Sequence, residues 1–374
     1  MSLTSQPAAS PSQQPRTVET SRTGVKGIRA NDVVSSYSAL LKAVRNAGLL
    51  QRCRGFYLVL LGVLGLFGAC LWAAFFLIGD AWIQLLIAAA LGVLCTQFAF
   101  VGHEAAHNQV FASRAANDWT ARIIATSLVG MSYSYWNDKH GRHHVRPNGV
   151  NEDPDIEPGA VIFHTETPTN RGVLGRAFAK RQGYFLFPLL LFLGCTLHAD
   201  SAKYLLRPAP VARRWIELAL LAIRFGAYLT VVFVVLSPGV AVAFIAVQTA
   251  VFGLYMGGCF APNHKGMPIL PEKSRMDFLS RQVLTSRNIT GGRFITVLMG
   301  GLNFQLEHHL FPDMPRPHLR KARRLVKAHC ETEGIVYTET GLASSYAIVI
   351  RYLNRVGLRA ADPFTCPLAD RYRP

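Results

Sequence analysis

The chain has 374 residues, half of them apolar and only 16% charged, which is too apolar for an ordinary soluble protein. A formal net charge of +17 with no basic, aromatic-interleaved nucleic-acid module excludes a nucleic-acid partner and points to a membrane surface. Seven cysteines, none in a C-x-x-C pair, exclude a zinc ribbon or a disulfide framework and read as buried thiols in a reducing compartment.

Residues 1–35 are rich in Ser, Thr, Gln and Pro and are expected to form a disordered tail, with no apolar segment that would make a signal peptide. An amphipathic piece over 33–50 is expected on the membrane surface. Two apolar runs, 57–79 and 81–101, each meet the ~20 residues needed to cross a bilayer. Only Asp80 and its neighbours separate them, which predicts a tight helical hairpin. A polar stretch over 102–182 follows. The apolar run 184–197 has 14 residues, too few for a crossing, and is expected to lie at the interface or be buried. A second pair of spans, 218–236 and 240–260, turns at Ser237, Pro238 and Gly239. The spans thus sit in a membrane domain over 36–330, with a C-terminal extension over 331–374.

Eight Lys and Arg residues precede Tyr57 and none lies in either hairpin turn, so both termini and the middle stretch are expected on the cytosolic side. Arg224, inside the third span, is expected to snorkel toward that side. Arg316, Arg320, Lys321, Arg323, Arg324 and Lys327 predict a basic helix against anionic lipid. Phosphates of an acyl-CoA or an acidic electron donor are the sharper alternatives for it.

Eight of the twelve histidines fall in four places. His103 and His107 form H-E-A-A-H at the end of the second span. His140, His143 and His144 form H-G-R-H-H. His308 and His309 end Q-L-E-H-H, which begins at Gln305. His264 follows the fourth span in A-P-N-H-K-G. Residues i, i+3 and i+4 share one helix face, so each box aims its imidazoles one way. Neutral imidazole suits iron, copper, nickel and zinc, and eight such ligands are too many for one tetrahedral zinc. They suit two metals with open positions. Sharing one site requires all boxes on one side of the membrane, hence an even number of spans between the second and third boxes. The spans 218–236 and 240–260 supply it, provided 184–197 does not cross.

H-E-A-A-H alone also matches the zinc-protease signature, with Glu104 as general base. That reading leaves the other two boxes unexplained. Otherwise Glu104 is a carboxylate orienting His103 or His107. The acidic loop with Glu152, Asp153, Asp155 and Glu157 is either a solvated turn or support for the second box, which Trp136 and Asn148 flank.

H-E-A-A-H, H-G-R-H-H and Q-L-E-H-H resemble the three histidine boxes of the membrane fatty acid desaturase family, over roughly residues 55–320. The flanks W-N-D-K-H-G-R-H-H and N-F-Q-L-E-H-H-L-F-P sharpen the resemblance. The second box is similar to that of bacterial acyl desaturases, and the third to the front-end type, with Gln305 in place of a histidine. The resemblance implies an all-α integral membrane protein, with four transmembrane helices in two hairpins and a cytosolic helical cap. It implies that His103, His107, His140, His143, His144, His264, His308 and His309 hold two iron ions, with O2 as co-substrate. Asn263 would be a water-mediated ligand, and Gln305 a weak ligand or a donor beside one. No H-P-G-G haem motif occurs, so a separate electron donor such as a ferredoxin or flavin reductase is expected. The implied substrate is a fatty-acyl chain on CoA or a lipid, in a bacterial inner membrane. A hydroxylase of lipid, alkane or carotenoid shares the spacing and is the alternative; a metal transporter would put its ligands at mid-bilayer.

Overall fold

A computed structural model of the chain describes residues 30–157, 159–165 and 172–358. Four helices are long and apolar enough to cross a membrane: Arg54–Ile78, Gln84–Ala106, Arg214–Val235 and Pro238–His264. Their apolar residues run all the way round, with side chains such as Leu66, Leu77 and Val234 facing outward, as a lipid-facing helix requires. The second and fourth spans continue past their apolar runs, so that His103, Glu104, Asn263 and His264 lie in their last turns.

The spans form two hairpins. In the first, Gln84 Nε2 donates to the carbonyls of Phe75 and Gly79 and satisfies the first span's end. At that same side Asp80 accepts from Ser237 N at 2.9 Å and Ser237 Oγ at 3.0 Å, which pins the two turns together. The histidines lie at the other end of the bundle. Close approach of the second and fourth spans depends on Gly92, where a Cβ would meet Gln248 O at 2.7 Å and Val251 Cβ at 2.9 Å.

Residues 184–197 fall into the short helices Leu186–Leu190 and Leu193–Leu206, which pack on the fourth span, and neither has the length to cross. The cap continues from the second span through a helix Arg114–Ile123, a π-helical turn Ile124–Val129 and the second-box helix Tyr133–Val145. The third-box helix is Gln305–Leu310, and the basic helix Arg316–Glu333 ends on Gly334 at φ 68°. Two three-residue strands, β1 (Asn288–Thr290) and β2 (Glu339–Gly341), pair in parallel. The final helix, Leu342–Gly357, returns to the fourth span, where Ser345 Oγ donates to Pro262 O and Tyr346 OH to Gly258 O. Residues 331–358 therefore pack into the same unit as the spans. Of the expected tail over 1–35, residues 30–35 begin a helix instead, while 1–29 and the stretch 359–374 lie outside the described residues.

Three expectations need correction. The amphipathic piece forms a helix, Ala30–Asn46, but Leu40 and Val44 are buried in a core shared with the basic helix instead of facing lipid. Tyr37 OH also donates to Leu310 O. Arg224 finds partners within the bundle instead of snorkelling. Its Nε donates to Leu128 O at 3.3 Å and its guanidinium lies over the Tyr228 ring. In the basic helix, Arg316 is buried on Glu104, while Arg323 and Lys327 pair with Glu339, so only part of the basic face is free.

Candidate metal centre

The four histidine segments meet at the cap side of the bundle in two groups. His103, His107, His140, His144 and His308 form one; His143, His264 and His309 form the other; within each, one nitrogen per residue lies within 4.8 Å of the rest. The second-box helix feeds both, because residues i and i+4 (His140 and His144) face one group and i+3 (His143) the other.

In the first group His140 Nε2 lies 3.1 Å from His103 Nε2 and 2.9 Å from His107 Nε2, and His144 Nε2 lies 3.1 Å from His308 Nε2. An imidazole nitrogen carries either a proton or one in-plane lone pair, so hydrogen bonding cannot satisfy His140 toward both neighbours. Two nitrogens each about 2.1 Å from a shared ion, at right angles, lie about 3 Å apart, which is the spacing seen.

The second group shows its ligand tautomer. His143 Nδ1 faces Asp153 Oδ2 at 2.9 Å, His264 Nδ1 faces Thr285 O at 3.1 Å, and His309 Nδ1 faces Gln282 Oε1 at 2.9 Å. Each Nδ1 therefore carries the proton, and each Nε2 presents a lone pair inward. His309 Nε2 is buried with no partner among the described residues, and His143 and His264 bring their Nε2 atoms to 3.3 Å. Burying an acceptor such as His309 Nε2 without a donor is costly, and a cation at the centre removes the cost. The donor set, imidazole with carboxylate and carbonyl support outside it, fits a divalent transition metal in each group.

Burial drives the imidazoles neutral. His107 is pushed down to about 4, and His140, His144, His308 and His309 lie well below the ordinary value, burial being the main cause and neighbouring imidazoles adding to it. His143 moves up: burial opposes this, but the carboxylates of Asp153 and then Asp155 prevail. Glu307, buried and facing Tyr337 and Asn288, is pushed up to about 7 by burial.

The expected contact of Glu104 with the imidazoles does not form. Its carboxylate takes a bidentate pair from Arg316, both bonds at 2.6 Å, and a further bond from Tyr57. A carboxylate so held is no free general base, and the two H-E-A-A-H histidines belong to a five-histidine group; both facts oppose the protease reading. Asn263 Nδ2 donates to the carbonyls of Cys259 and Leu302 and to Gln305 Oε1. Flipping that amide would forfeit both carbonyl bonds, so Gln305 is fixed with Nε2 toward His264 Nε2 at 2.9 Å. Asn263 Oδ1 is buried without a partner among the described residues.

From the acidic loop only Asp153 bonds a box histidine closely, while also accepting from Asn148 N; Asp155 pairs with Lys139. Trp136 stacks on His140 with centroids 4.4 Å apart. Gln282 and Thr285 carry no sequence signal. They lie at the end of a seven-residue helix, Phe278–Leu284, whose place is set by packing on the third box and the Ala30–Asn46 helix and by bonds to the end of the second-box helix.

An apolar cavity of about 260 Å³ opens beside the groups. Trp136, Leu190, Met256 and Phe260 line it, His140 and His264 contribute one wall from each group, and Lys139 and Lys265 lie among its polar lining.

A family model described as fatty acid desaturase matches residues 80–341. The chain is 27% identical over 339 residues to fatty acid desaturase 3 of Bos taurus, covering 88% of this chain and 75% of that protein. It is 25% identical over 352 residues to a Delta(8)-fatty-acid desaturase of Helianthus annuus, covering 90% and 76%. It is 29% identical over 291 residues to an acyl-lipid (9-3)-desaturase of Physcomitrium patens, covering 74% of this chain and 54% of that protein.

Proposed function

On the premise that the chain belongs to the fatty acid desaturase family, and is thus an oxidoreductase acting on fatty-acyl chains in a membrane context, we propose that it is an O2-dependent desaturase using two iron ions. The observation that carries this reading is the apolar cavity walled by one histidine of each metal group. His103, His107, His140, His144 and His308 would hold one iron, and His143, His264 and His309 the other. When bound, the irons would supply the oxidising power from O2 that an unactivated C–H bond requires.

The chain's own residues do the rest. Asp153, Thr285 O and Gln282 fix three imidazoles in the ligand tautomer. Gln305 Nε2 lies beside the His264 Nε2 lone pair and would yield it to a bound iron, and Asn263 Oδ1 is the acceptor that a water-mediated ligand needs. Glu104 anchors the second span to the basic helix through Arg316 and acts on the site only by position. Trp136, Met256 and Phe260 exclude water and hold two adjacent methylenes beside the groups, with the polar end of the substrate toward Lys139 and Lys265. Two hydrogens leave the chain and O2 becomes two waters, so two electrons and two protons enter from a separate donor such as a ferredoxin or flavin reductase. The absence of basic residues from the two pinned turns supports a cytosolic metal side. An acyl group on CoA and one on a lipid both fit an apolar cavity whose polar rim holds Lys139, Lys265 and the carboxylate of Asp155.

The test is metal analysis of purified protein with product analysis by mass spectrometry. About two irons per chain, lost in the His308→Ala/His309→Ala variant, together with a product two hydrogens lighter, is the expected result. One zinc indifferent to that variant, or a product heavier by one oxygen, would defeat the reading.

A further inference from the structure

A second cavity, of about 200 Å³, lies away from the histidines between β1 and the basic helix. Arg320, Arg323 and Arg324 line it together with Thr290, Gly291 and a single carboxylate, Glu339. Arg323 and Lys327 already engage Glu339. Arg320 and Arg324 are exposed and have no ion-pair or hydrogen-bond partner among the described residues. The cavity thus holds an excess of guanidinium, the group whose planar fork matches phosphate oxygens.

Its position identifies the source of the anion. Gly291 leads directly into a short helix, Arg293–Leu298, that lies along the spans. Gln97 Nε2 donates to Val297 O, and Tyr255 OH donates to Leu298 O at 2.6 Å. Gln97 lies within the second span's apolar run, about one turn before that run ends at Val101, so this short helix sits at the depth of the run's last turn. Its Phe294 and Val297 are 74% and 61% exposed, which is apolar surface turned toward acyl chains. The arginines stand at the level where that segment leaves the bilayer, which is the level of lipid headgroups.

We propose that Arg320 and Arg324, beside the Glu339-bound Arg323, form a binding site for the phosphate of an anionic membrane lipid, whose acyl chains run along Phe294 and Val297. The site is separate from the metal centre and does not depend on iron or turnover. It ties the cap to lipid of one charge class and gives the free part of the basic helix a defined ligand.

The test uses the full iron-loaded chain in neutral detergent, titrated with dioleoyl phosphatidic acid or dioleoyl phosphatidylcholine and read by native mass spectrometry. Arg320→Ala/Arg324→Ala removes two cavity cations. Lys42→Ala/Lys321→Ala removes the same charge from exposed positions that do not line the cavity. Arg320→Gln/Arg324→Gln repeats the first pair with polar side chains. The expected result is preferential retention of phosphatidic acid, weakened about tenfold or more in both arginine pairs and by less than about twofold in the lysine pair. Equal loss in the arginine and lysine pairs would mean diffuse attraction, and no loss in either would mean no site; each overturns the proposal. Glycerol 3-phosphate or inorganic phosphate displacing the lipid at equal concentration would assign the cavity to a soluble phosphate and overturn the lipid source. Iron content, measured in parallel, is expected to be unchanged in every variant.

Discussion

Asp153 and Arg316 show how single side chains hold the centre together from outside it. Asp153 accepts the Nδ1 proton of His143 while taking backbone N–H bonds from Asn148 and Asp155. Asp153→Asn keeps the size but lets the amide present an N–H to that nitrogen, which disfavours the ligand tautomer. Iron affinity is expected to fall about 10- to 100-fold, measured by competition with a chelator. Arg316 and Glu104 form a buried pair across 212 residues of sequence. Arg316→Ala leaves a buried carboxylate and is expected to cost about 3–5 kcal/mol, read as a fall in thermal midpoint, whereas Glu104→Ala/Arg316→Ala recovers much of the loss. Recovery absent from the double variant would show that the pair is not coupled. Arg316 is also where sequence reading erred in an instructive way. A basic amphipathic helix looks the same whether its partner is lipid or a carboxylate in a distant span, because only the tertiary packing distinguishes them.

At the scale of elements, the spans were legible because a run of about 20 apolar residues has few other fates. The boxes were legible because i, i+3 and i+4 spacing forces imidazoles onto one face. Gln282, Thr285 and the two-group division were not, since they depend on where the Phe278–Leu284 helix packs, and no periodicity encodes that. The closeness of the second and fourth spans was equally hidden, and it rests on Gly92. Gly92→Ala drives a methyl against backbone and is expected to cost about 1–3 kcal/mol. Those spans carry His103 and His264, so iron content should drop with the thermal midpoint. Gly226→Ala, on the third span with open space around its Cβ, is the control and should leave both nearly unchanged. Equal behaviour of the two variants would deny Gly92 its role at the interface.

For the molecule as a whole, a nest of buried neutral imidazoles sets the pH response. His107 has a value of about 4 in the fold against an ordinary 6.5, and His140, His144, His308 and His309 are lowered likewise. Below pH 6.5 the unfolded chain binds more protons than the folded one. Stability of the iron-free protein is therefore full above that pH and falls progressively toward pH 4. Glu307, raised to about 7, and His143, also raised, act with the opposite sign but are two groups against five. Thermal midpoints of iron-free protein between pH 7.5 and 4.5 check the direction, and a midpoint rising as pH falls would contradict it.

The two metal groups also fix a timetable. Each needs a histidine from the third-box helix, His308 for one and His309 for the other, although the first ligand, His103, is made some two hundred residues earlier. During synthesis both hairpins can enter the bilayer while neither centre is closed. If the proposed irons are bound, loading would be a late event in the life of the chain, and a nascent chain halted before Gln305 should be inserted but hold iron more weakly than the full chain. On the proposed reading, retained iron would report that the third-box helix has docked, which gives a cell a chemical criterion for distinguishing assembled centres from merely inserted chains.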